Sequence, residues 1–172
     1  MILVTVGTHY QGFNRLVRAM DELAAELDET VLIQRGSSTY VPQHADHFQF
    51  TSGQHMAQLN RDARVVVSHA AAGAIIVAMQ HNRPLVVVPR LRRFDEHIDD
   101  HQLQLTVALE AQDRAVVVYE PSVAVLRAAI AKVTQQKVKS EGPIRLVQAL
   151  RQQLAAWNPQ NLERGSSANE KV

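Results

Sequence analysis

The sequence predicts an α/β domain with one doubly wound parallel sheet, and three features support this. Short apolar runs rich in valine and isoleucine recur along the 172 residues, as in strands that are buried on both faces. Segments with apolar residues at helical spacing separate these runs. We find no internal repeat and no linker that would divide the chain, so the alternation predicts a single sheet covered by helices on both sides.

The first half of the chain shows the alternation most clearly. Residues 2–6 are apolar and β-branched and end at Gly7-Thr8, which predicts a buried strand followed by a loop. Residues 13–27 carry apolar side chains at helical spacing, with Asn14 or the preceding turn as the cap. Strands are predicted over 31–33 and, more weakly, 47–50. A short helix is predicted over 53–62 and a strand over 65–67.

The second half repeats the pattern. Helices are predicted over 72–81, 97–110, 123–135 and 143–157, and strands over 84–88 and 115–118. Pro89 ends the strand over 84–88, because proline cannot donate a backbone hydrogen bond. Residues 158–172 are polar and lack periodicity. We therefore expect a domain over 1–157 and a disordered polar tail over 158–172.

Composition excludes several classes of function. The 18 basic and 17 acidic residues nearly balance, and no basic run resembles a nucleic-acid-binding arm. The absence of cysteine excludes disulfides, cysteine nucleophiles and thiolate metal sites, and it is compatible with a reducing cytosol. No apolar run approaches the roughly 20 residues that span a bilayer, and the first ten residues do not resemble a signal peptide.

Two loops at predicted strand ends are candidates for binding a diphosphate. In doubly wound sheets, ligands bind beyond the carboxyl ends of the strands. There, GTHYQG (residues 7–12) and SHAAAG (residues 68–73) each join a strand to a helix through small residues. Small residues let backbone N–H groups approach an anion, and the following helix adds its partial positive charge. Alternatively, Gly7 and Gly73 only permit tight turns and close helix packing.

The histidines allow more than one interpretation. His69 directly follows a buried strand, so we expect it at the floor of the crevice, in a structural role or in contact with a ligand. His97 and His101 are four residues apart and would share one face of a helix. The sequence HIDDH around them is close to an inverted zinc-protease motif, but it has Asp where Glu is needed. We favour a polar helix start that faces the crevice, with no metal.

Several segments together resemble a known family over about residues 1–118. They are ILVTVGTHYQGFNRLV, VLIQRGSSTY, VVVSHAAAG, PLVVVPR and FDEHIDDHQL. They resemble the small catalytic subunit of two-component UDP-sugar transferases, found in early N-glycan assembly and bacterial exopolysaccharide synthesis. That subunit is similar to the C-terminal half of glycosyltransferase family 28, which includes the lipid II-forming enzyme. The resemblance implies a Rossmann-like fold, equivalent to the donor-binding C-terminal half of a GT-B glycosyltransferase.

The resemblance also implies roles for individual residues. The residues of two loops would flank the donor diphosphate: Gly7, Thr8, His9, Ser68, His69, Ala70, Ala71, Ala72 and Gly73. A third segment would lie beside the uracil: Phe50, Thr51, Ser52 and Met56. The remaining positions would face the donor sugar or line its cleft: Gln34, Gly36, Glu96, His97, Asp100, His101 and Gln102.

For some residues, the expected role follows from the chemistry of the side chain. Arg90, with Arg92 and Arg93, is expected to meet an anionic group of donor or acceptor or, equally, to form a solvated cluster. His69, His97 and His101 are the candidates in this chain for acid–base catalysis, because imidazole titrates near neutral pH.

One position departs from the family. Many members carry a glutamate that accepts both ribose hydroxyls, and the matching position here is Val77. The exopolysaccharide-type members tolerate a non-acidic residue there, which favours that branch, with β-1,4-glucuronosyl- or galactosyltransferase-like members. Alternatively, Val77 indicates a non-catalytic nucleotide-binding regulatory subunit.

The resemblance implies an inverting, metal-independent hexosyl or uronosyl transferase with a UDP-sugar donor and no cofactor. A membrane-anchored partner would bind the acceptor, a polyprenyl-diphosphate-linked saccharide, and would supply the decisive base. The chain itself would then be cytoplasmic and would be recruited by that partner to the cytoplasmic face of the membrane. The remaining alternative is a zinc hydrolase that uses His97 and His101.

Overall fold

The structure is a computed structural model and describes residues 1–99 and 101–136, with only the backbone of His101. All of these residues belong to one compact unit, Met1–Ser140. The predicted helix over 143–157 and the predicted tail over 158–172 lie outside the described residues.

Strands and helices alternate along the described chain. The strands are β1 (Ile2–Thr5), β2 (Val31–Gln34), β3 (Asp46–Phe48), β4 (Val65–His69), β5 (Leu85–Val88) and β6 (Val116–Val117). The helices are α1 (Asn14–Ala24), α2 (Gly53–Asp62), α3 (Ala72–Gln80), α4 (His101–Ala111) and α5 (Val123–Gln135). A short 3₁₀ turn, Arg92–Phe94, lies between β5 and α4.

The six strands form one parallel sheet in the order β3-β2-β1-β4-β5-β6, which confirms the predicted doubly wound fold. β1 lies between β2 and β4, with Thr5 beside Gln34 on one side and beside Ser68 on the other. The strand order therefore reverses between β1 and β4. In doubly wound sheets, the two loops at such a reversal leave in different directions and border the usual ligand site. Here they are the loop after β1 and the loop after β4.

The sheet buries both faces, as the apolar runs predict. Ile2 and Val4 belong to a core cluster with side chains of α1 and α5, and these two helices pack together. Because strand side chains alternate, Leu3 points to the opposite layer, and α2 and α3 also pack together. Each fully buried aliphatic side chain of this kind contributes about 1.5–3 kcal/mol through the hydrophobic effect.

Two helix boundaries differ from the predictions. α1 ends at Ala24 rather than at residue 27, because the N–H of Leu27 bonds to the Ala24 carbonyl in a tighter turn. α4 begins at His101 rather than at residue 97. Asp95 ends the 3₁₀ turn in a left-handed conformation (φ 54°), and residues 95–99 form turns and bends rather than a helix. His97 therefore lies in a loop, so the prediction that His97 and His101 share one helical face is wrong.

Candidate functional site

The turn after β1 is built around Gly7. Its φ of +80° is a conformation that residues with a Cβ rarely adopt. The side chain of Gln34 fixes this turn from the neighbouring strand β2. Its Oε1 accepts hydrogen bonds from Val6 N (3.1 Å) and Gly7 N (3.0 Å). Its Nε2 donates to the carbonyls of Gly7 and Gln49, each at 2.9 Å.

These bonds change the role of Gln34. The resemblance implies that Gln34 and Gly36 are a polar pair that lines the cleft. The structure buries Gln34, at 2% exposure, and both hydrogens of its amide are used by backbone carbonyls. Gly36 has φ +54°, and a Cβ there would lie 2.5 Å from the carbonyl oxygen of Gly7. Both residues therefore shape the Gly7 turn from below.

His69 closes the other side of the same turn. It is 8% exposed, and its Nδ1 lies 3.3 Å from the Thr5 carbonyl, which assigns the ring proton to Nδ1. A Cβ at Gly7 would lie 2.5 Å from its Nε2. Burial, with the nearby positive charge of Arg90, lowers the pKa of His69 to about 4. At neutral pH, His69 is therefore an uncharged ring packed against Gly7.

The loop after His69 ends at the amino terminus of α3. Ser68 and Ala70 are buried, and the Ser68 hydroxyl donates to the carbonyl of His69 (3.0 Å). Ala71 is the N-cap of α3 and makes no side-chain capping bond. A Cβ at Gly73 would meet nothing within 4 Å. The first-turn amides from Ala72 onward therefore have no side-chain cap from Ala71, an arrangement suited to an anion.

Arg90 joins the loops after β1 and β5. It is fully buried at 0% exposure, so it does not belong to a solvated cluster. Its guanidinium donates to the carbonyls of Val6 (2.7 Å), Gln11 (2.8 Å), Gly12 (3.1 Å) and Glu96 (2.8 Å). Desolvation lowers its pKa to about 10, which leaves it charged at neutral pH. Arg92 and Arg93, in contrast, are exposed.

Glu96 is held within the same junction. Its carboxylate makes a two-pronged ion pair with Arg15 (2.9 and 2.8 Å) and accepts from the Leu91 N–H (3.0 Å). It is 4% exposed. The resemblance predicts that Glu96 faces the donor sugar, but the structure ties it to α1 through Arg15. Glu96 therefore acts as a positioning residue for the loop after β5.

This junction brings His97 over the loop after β1. The rings of His97 and His9 are stacked with centroids 4.9 Å apart, and His9 also stacks on Tyr10 at 4.5 Å. The Nδ1 of His97 lies 2.9 Å from Asp99 Oδ1. The Nδ1 of His9 accepts from the Gln11 N–H at 3.3 Å. Burial, with the charges of His97 and Arg90, lowers the pKa of His9.

The segment that the resemblance places beside the uracil follows β3 at the edge of the sheet. Phe50 is 53% exposed, and Thr51 and Ser52 are also exposed beyond β3. Ser52 caps α2 by accepting from the His55 N–H (3.2 Å), and Met56 is half-buried in the first turn of that helix. These residues therefore lie beyond the edge strand β3, at the start of α2.

The start of α4 contributes one described side chain. Gln102 is 8% exposed, and its Oε1 accepts from the Arg90 N–H at 3.0 Å, so it supports the Arg90 junction. Asp100 and the side chain of His101 lie outside the described residues. Within 1–99 and 101–136, no group of three His, Asp or Glu side chains is arranged to hold a metal ion. No helix in those ranges is long and apolar enough to cross a membrane.

Sequence reasoning missed Arg15, Gln11 and Asp99. Arg15 lies on the polar side of α1, where an arginine is ordinarily solvated. Its bonds reach Glu96, Pro89 and Tyr119, which are far away in sequence. Only the two-residue spacing of His97 and Asp99 was visible locally. A cavity of about 280 Å³ also opens beside this junction, lined by Gly12, Asn14, Arg15, Phe94, Asp95 and Glu96.

Comparisons with known proteins bear on the family and the fold of the chain. The model of the glycosyltransferase family 28 C-terminal domain matches residues 1–156. No curated protein sequence is significantly similar to the chain.

Solved structures share the fold. The calicheamicin glycosyltransferase CalG4 is similar with a TM-score of 0.60 and 19% identity, over 92% of this chain and 43% of CalG4. The spinosyn rhamnosyltransferase SpnG, complexed with thymidine diphosphate, gives 0.55 and 15%, over 85% of this chain and 40% of its own. The solution structure of ALG13 gives 0.50 and 20%, over 76% of this chain and 85% of ALG13. The chain thus spans less than half the length of CalG4 and SpnG.

Proposed function

Since the chain belongs to the glycosyltransferase family 28 C-terminal domain family, we propose that it is the donor-binding subunit of a UDP-sugar glycosyltransferase. The observation that carries this proposal is the pair of turns after β1 and β4, where the strand order reverses. The Gly7 turn packs against His69, two residues before Ala71, the N-cap of α3, which makes no side-chain capping bond. Backbone amides and a helix dipole are suited to holding a diphosphate.

The proposed reaction needs two contributions. An acceptor hydroxyl attacks C1 of the donor sugar from the face opposite the diphosphate. The C1–oxygen bond to the diphosphate breaks, UDP leaves, and the hydroxyl proton passes to a base. The α3 amides stabilise the charge that develops on the leaving diphosphate, without a metal ion. At neutral pH, His69 offers only a neutral imidazole for proton transfer, because its pKa is about 4.

The second contribution comes from a partner. The chain spans only 43% of CalG4 and 40% of SpnG. We propose that a separate, membrane-anchored subunit supplies the acceptor site and the base. The acceptor would be a polyprenyl-diphosphate-linked saccharide in exopolysaccharide or capsule synthesis, and the transferred group a hexosyl or uronosyl unit. The chain would work at the cytoplasmic face of the membrane through that partner.

One observation favours a second candidate function. Val77 is half-buried on α3 and has no group to accept the ribose hydroxyls. A regulatory subunit that binds the nucleotide without catalysis fits this side chain. It would bind UDP and yet support no transfer with any partner.

A thermal-shift titration tests the proposal. UDP, UDP-glucose and UDP-glucuronate are compared with ADP, with zinc and EDTA as parallel arms. At one hundred times the dissociation constant, a ligand of the native state stabilises it by about 2.7 kcal/mol. We expect stabilisation by the uridine nucleotides, weaker or no stabilisation by ADP, and no effect of EDTA. A response to zinc alone would support the hydrolase that uses His97 and His101 instead.

A second assay separates the two candidate functions. Membranes that contain the acceptor subunit and the lipid-linked saccharide are mixed with the chain and a radiolabelled UDP-sugar. Transfer that needs both fractions supports the transferase. UDP binding without transfer by any such mixture supports the regulatory subunit.

A further inference from the structure

The stacked histidines His9 and His97 lie where the loops after β1 and β5 meet. Their ring centroids are 4.9 Å apart and the rings are inclined by 26°. His9 is two residues beyond Gly7, on the same turn that His69 closes from the other side. The pair is therefore next to the proposed diphosphate site, on which this inference rests.

The Nδ1 atoms of the two rings share one kind of contact and differ in another. Each accepts the backbone N–H of the residue two positions on, Gln11 for His9 and Asp99 for His97, both at 3.3 Å, so neither Nδ1 carries a proton in this arrangement. A proton added to either Nδ1 would remove that bond. Only at His97 does a carboxylate oxygen, that of Asp99, also lie 2.9 Å from Nδ1, where it would stabilise the added proton. A further proton on this pair of rings therefore belongs on His97.

In the absence of a ligand, the charged groups around the two rings have opposite effects on a positive charge there. Among the described residues, Asp99 favours a positive charge on the pair, whereas the buried cation Arg90 opposes it. Tyr10 stacks on His9, and His69, which lies beside both histidines, adds no charge at neutral pH because its pKa is about 4. A bound diphosphate would add two negative charges and shift this balance towards protonation.

We propose that His97, oriented by Asp99 and stacked on a neutral His9, is the cationic contact for the donor diphosphate, and that donor binding is coupled to uptake of a proton by His97. Nδ1 of His97 is directed to Asp99, so Nε2 is the nitrogen that donates to a diphosphate oxygen. No covalent bond forms or breaks in this step. The imidazolium provides charge stabilisation that a metal ion provides in metal-dependent transferases.

The test is an NMR titration of the histidine ring signals of the full chain, with and without saturating UDP-glucose. UDP-glucose is a diphosphate diester, so its own phosphates do not titrate near neutral pH. The signal of His97 is assigned by its absence in His97→Gln. We expect UDP-glucose to raise the pKa of His97 by about one unit, and affinity to increase severalfold, by less than about tenfold, between pH 8 and pH 6. Uridine, which lacks the diphosphate, should leave that pKa unchanged.

Variants separate the parts of the proposal. Asp99→Asn should reduce the shift. His9→Phe should keep it, because the stacking ring remains and is uncharged. His55→Gln, on the exposed surface of α2, is the matched control and should change neither the shift nor the affinity.

The outcomes are distinguishable from those for the proposed function. Binding of UDP-glucose with an unmoved His97 titration overturns the proton coupling and leaves the proposed function standing. A shift that persists in Asp99→Asn and disappears in His9→Phe assigns the proton to His9 and also overturns it. No binding of UDP-glucose by the full chain, at any pH between 6 and 8, overturns both proposals.

Discussion

Gly7 and Gly73 are the two glycines of the candidate site, and their physical demands differ. Gly7 has φ +80°, and any Cβ there would lie 2.5 Å from a nitrogen of the buried His69 ring. Gly73 has ordinary helical surroundings, and a Cβ there would point into open space. The first glycine is required by the fold itself, whereas the second is required only if a ligand fills that space.

This difference predicts opposite results for two alanine substitutions. Gly7→Ala should destabilise the protein by on the order of 2–4 kcal/mol through backbone strain and overpacking. Gly73→Ala should keep or slightly increase stability, because alanine favours a helix over glycine by about 1 kcal/mol. Its affinity for UDP should nevertheless fall at least about tenfold. Urea unfolding and calorimetric titration measure the two effects.

Gly53→Ala is the control for Gly73→Ala. Gly53 is also at the start of a helix with nothing within 4 Å of its Cβ position. Gly53 begins α2, which is not part of the proposed diphosphate site, so Gly53→Ala should lose no affinity. If Gly73→Ala binds UDP as tightly as Gly53→Ala does, the diphosphate does not approach the start of α3.

At the scale of elements, the loops after β1 and β5 behave as one unit because Arg90 joins them. Four backbone carbonyls converge on its guanidinium, and three of them belong to the loop after β1 or to the end of that strand. Arg15 and Glu96 tie the same unit to α1. The position of His97 over His9 therefore depends on residues that need not touch a donor.

Replacing Arg90 should loosen the contact between the loops after β1 and β5. Arg90→Met keeps much of the side-chain volume but leaves the four buried carbonyls without donors, at a cost on the order of 3 kcal/mol or more. Arg90→Lys should recover only part of this loss, because an ammonium lacks the planar fork of donors. Hydrogen exchange should accelerate at Gly12 and His97 more than in β1 itself.

Arg93→Met serves as the control for this prediction. Arg93 is exposed and pairs on the surface with Glu120, so its loss should change stability by less than about 1 kcal/mol. Hydrogen exchange near His97 that is equally fast in Arg90→Met and in Arg93→Met would contradict the positioning role of Arg90.

At the scale of the whole molecule, the buried neutral His69 makes folding sensitive to pH. Its pKa is about 4 when folded, and an unfolded histidine titrates near 6.5. Between these values the unfolded chain binds more protons than the folded one. Stability should therefore be full above about pH 6.5 and decrease as the pH falls to about 4, by at most about 3 kcal/mol from this group.

Urea unfolding at several pH values between 7 and 4 tests this expectation. His69→Asn should be less stable at pH 7 but should show a shallower decrease across that range, because the titrating ring is gone. His55→Gln, which changes an exposed histidine, should keep the slope of the unchanged protein. An identical slope in His69→Asn would show that His69 does not cause the acid sensitivity.

Much of the architecture was predictable because it follows from local patterns. A strand buried on both faces must be apolar throughout, and the helices that cover it must be apolar on one side. The spacing of apolar residues therefore indicates which side chains are buried. The Gly7 turn was visible for the same reason, since glycine follows an apolar strand directly. The family match over residues 1–156 agrees with the resemblance inferred from these segments.

The tertiary structure decided what the polar residues do. Three polar residues are of types that often bind ligands: Gln34, Glu96 and Arg90. Their hydrogen bonds go instead to the protein backbone and to Arg15. The stacking of His9 on His97 and the start of α4 at His101 depend on how the loop after β5 folds over the loop after β1. Arg90 and its partner Val6, for example, are 84 residues apart in the chain. Local spacing reveals which side chains are buried, but polar side chains find their partners only when the loops are folded together.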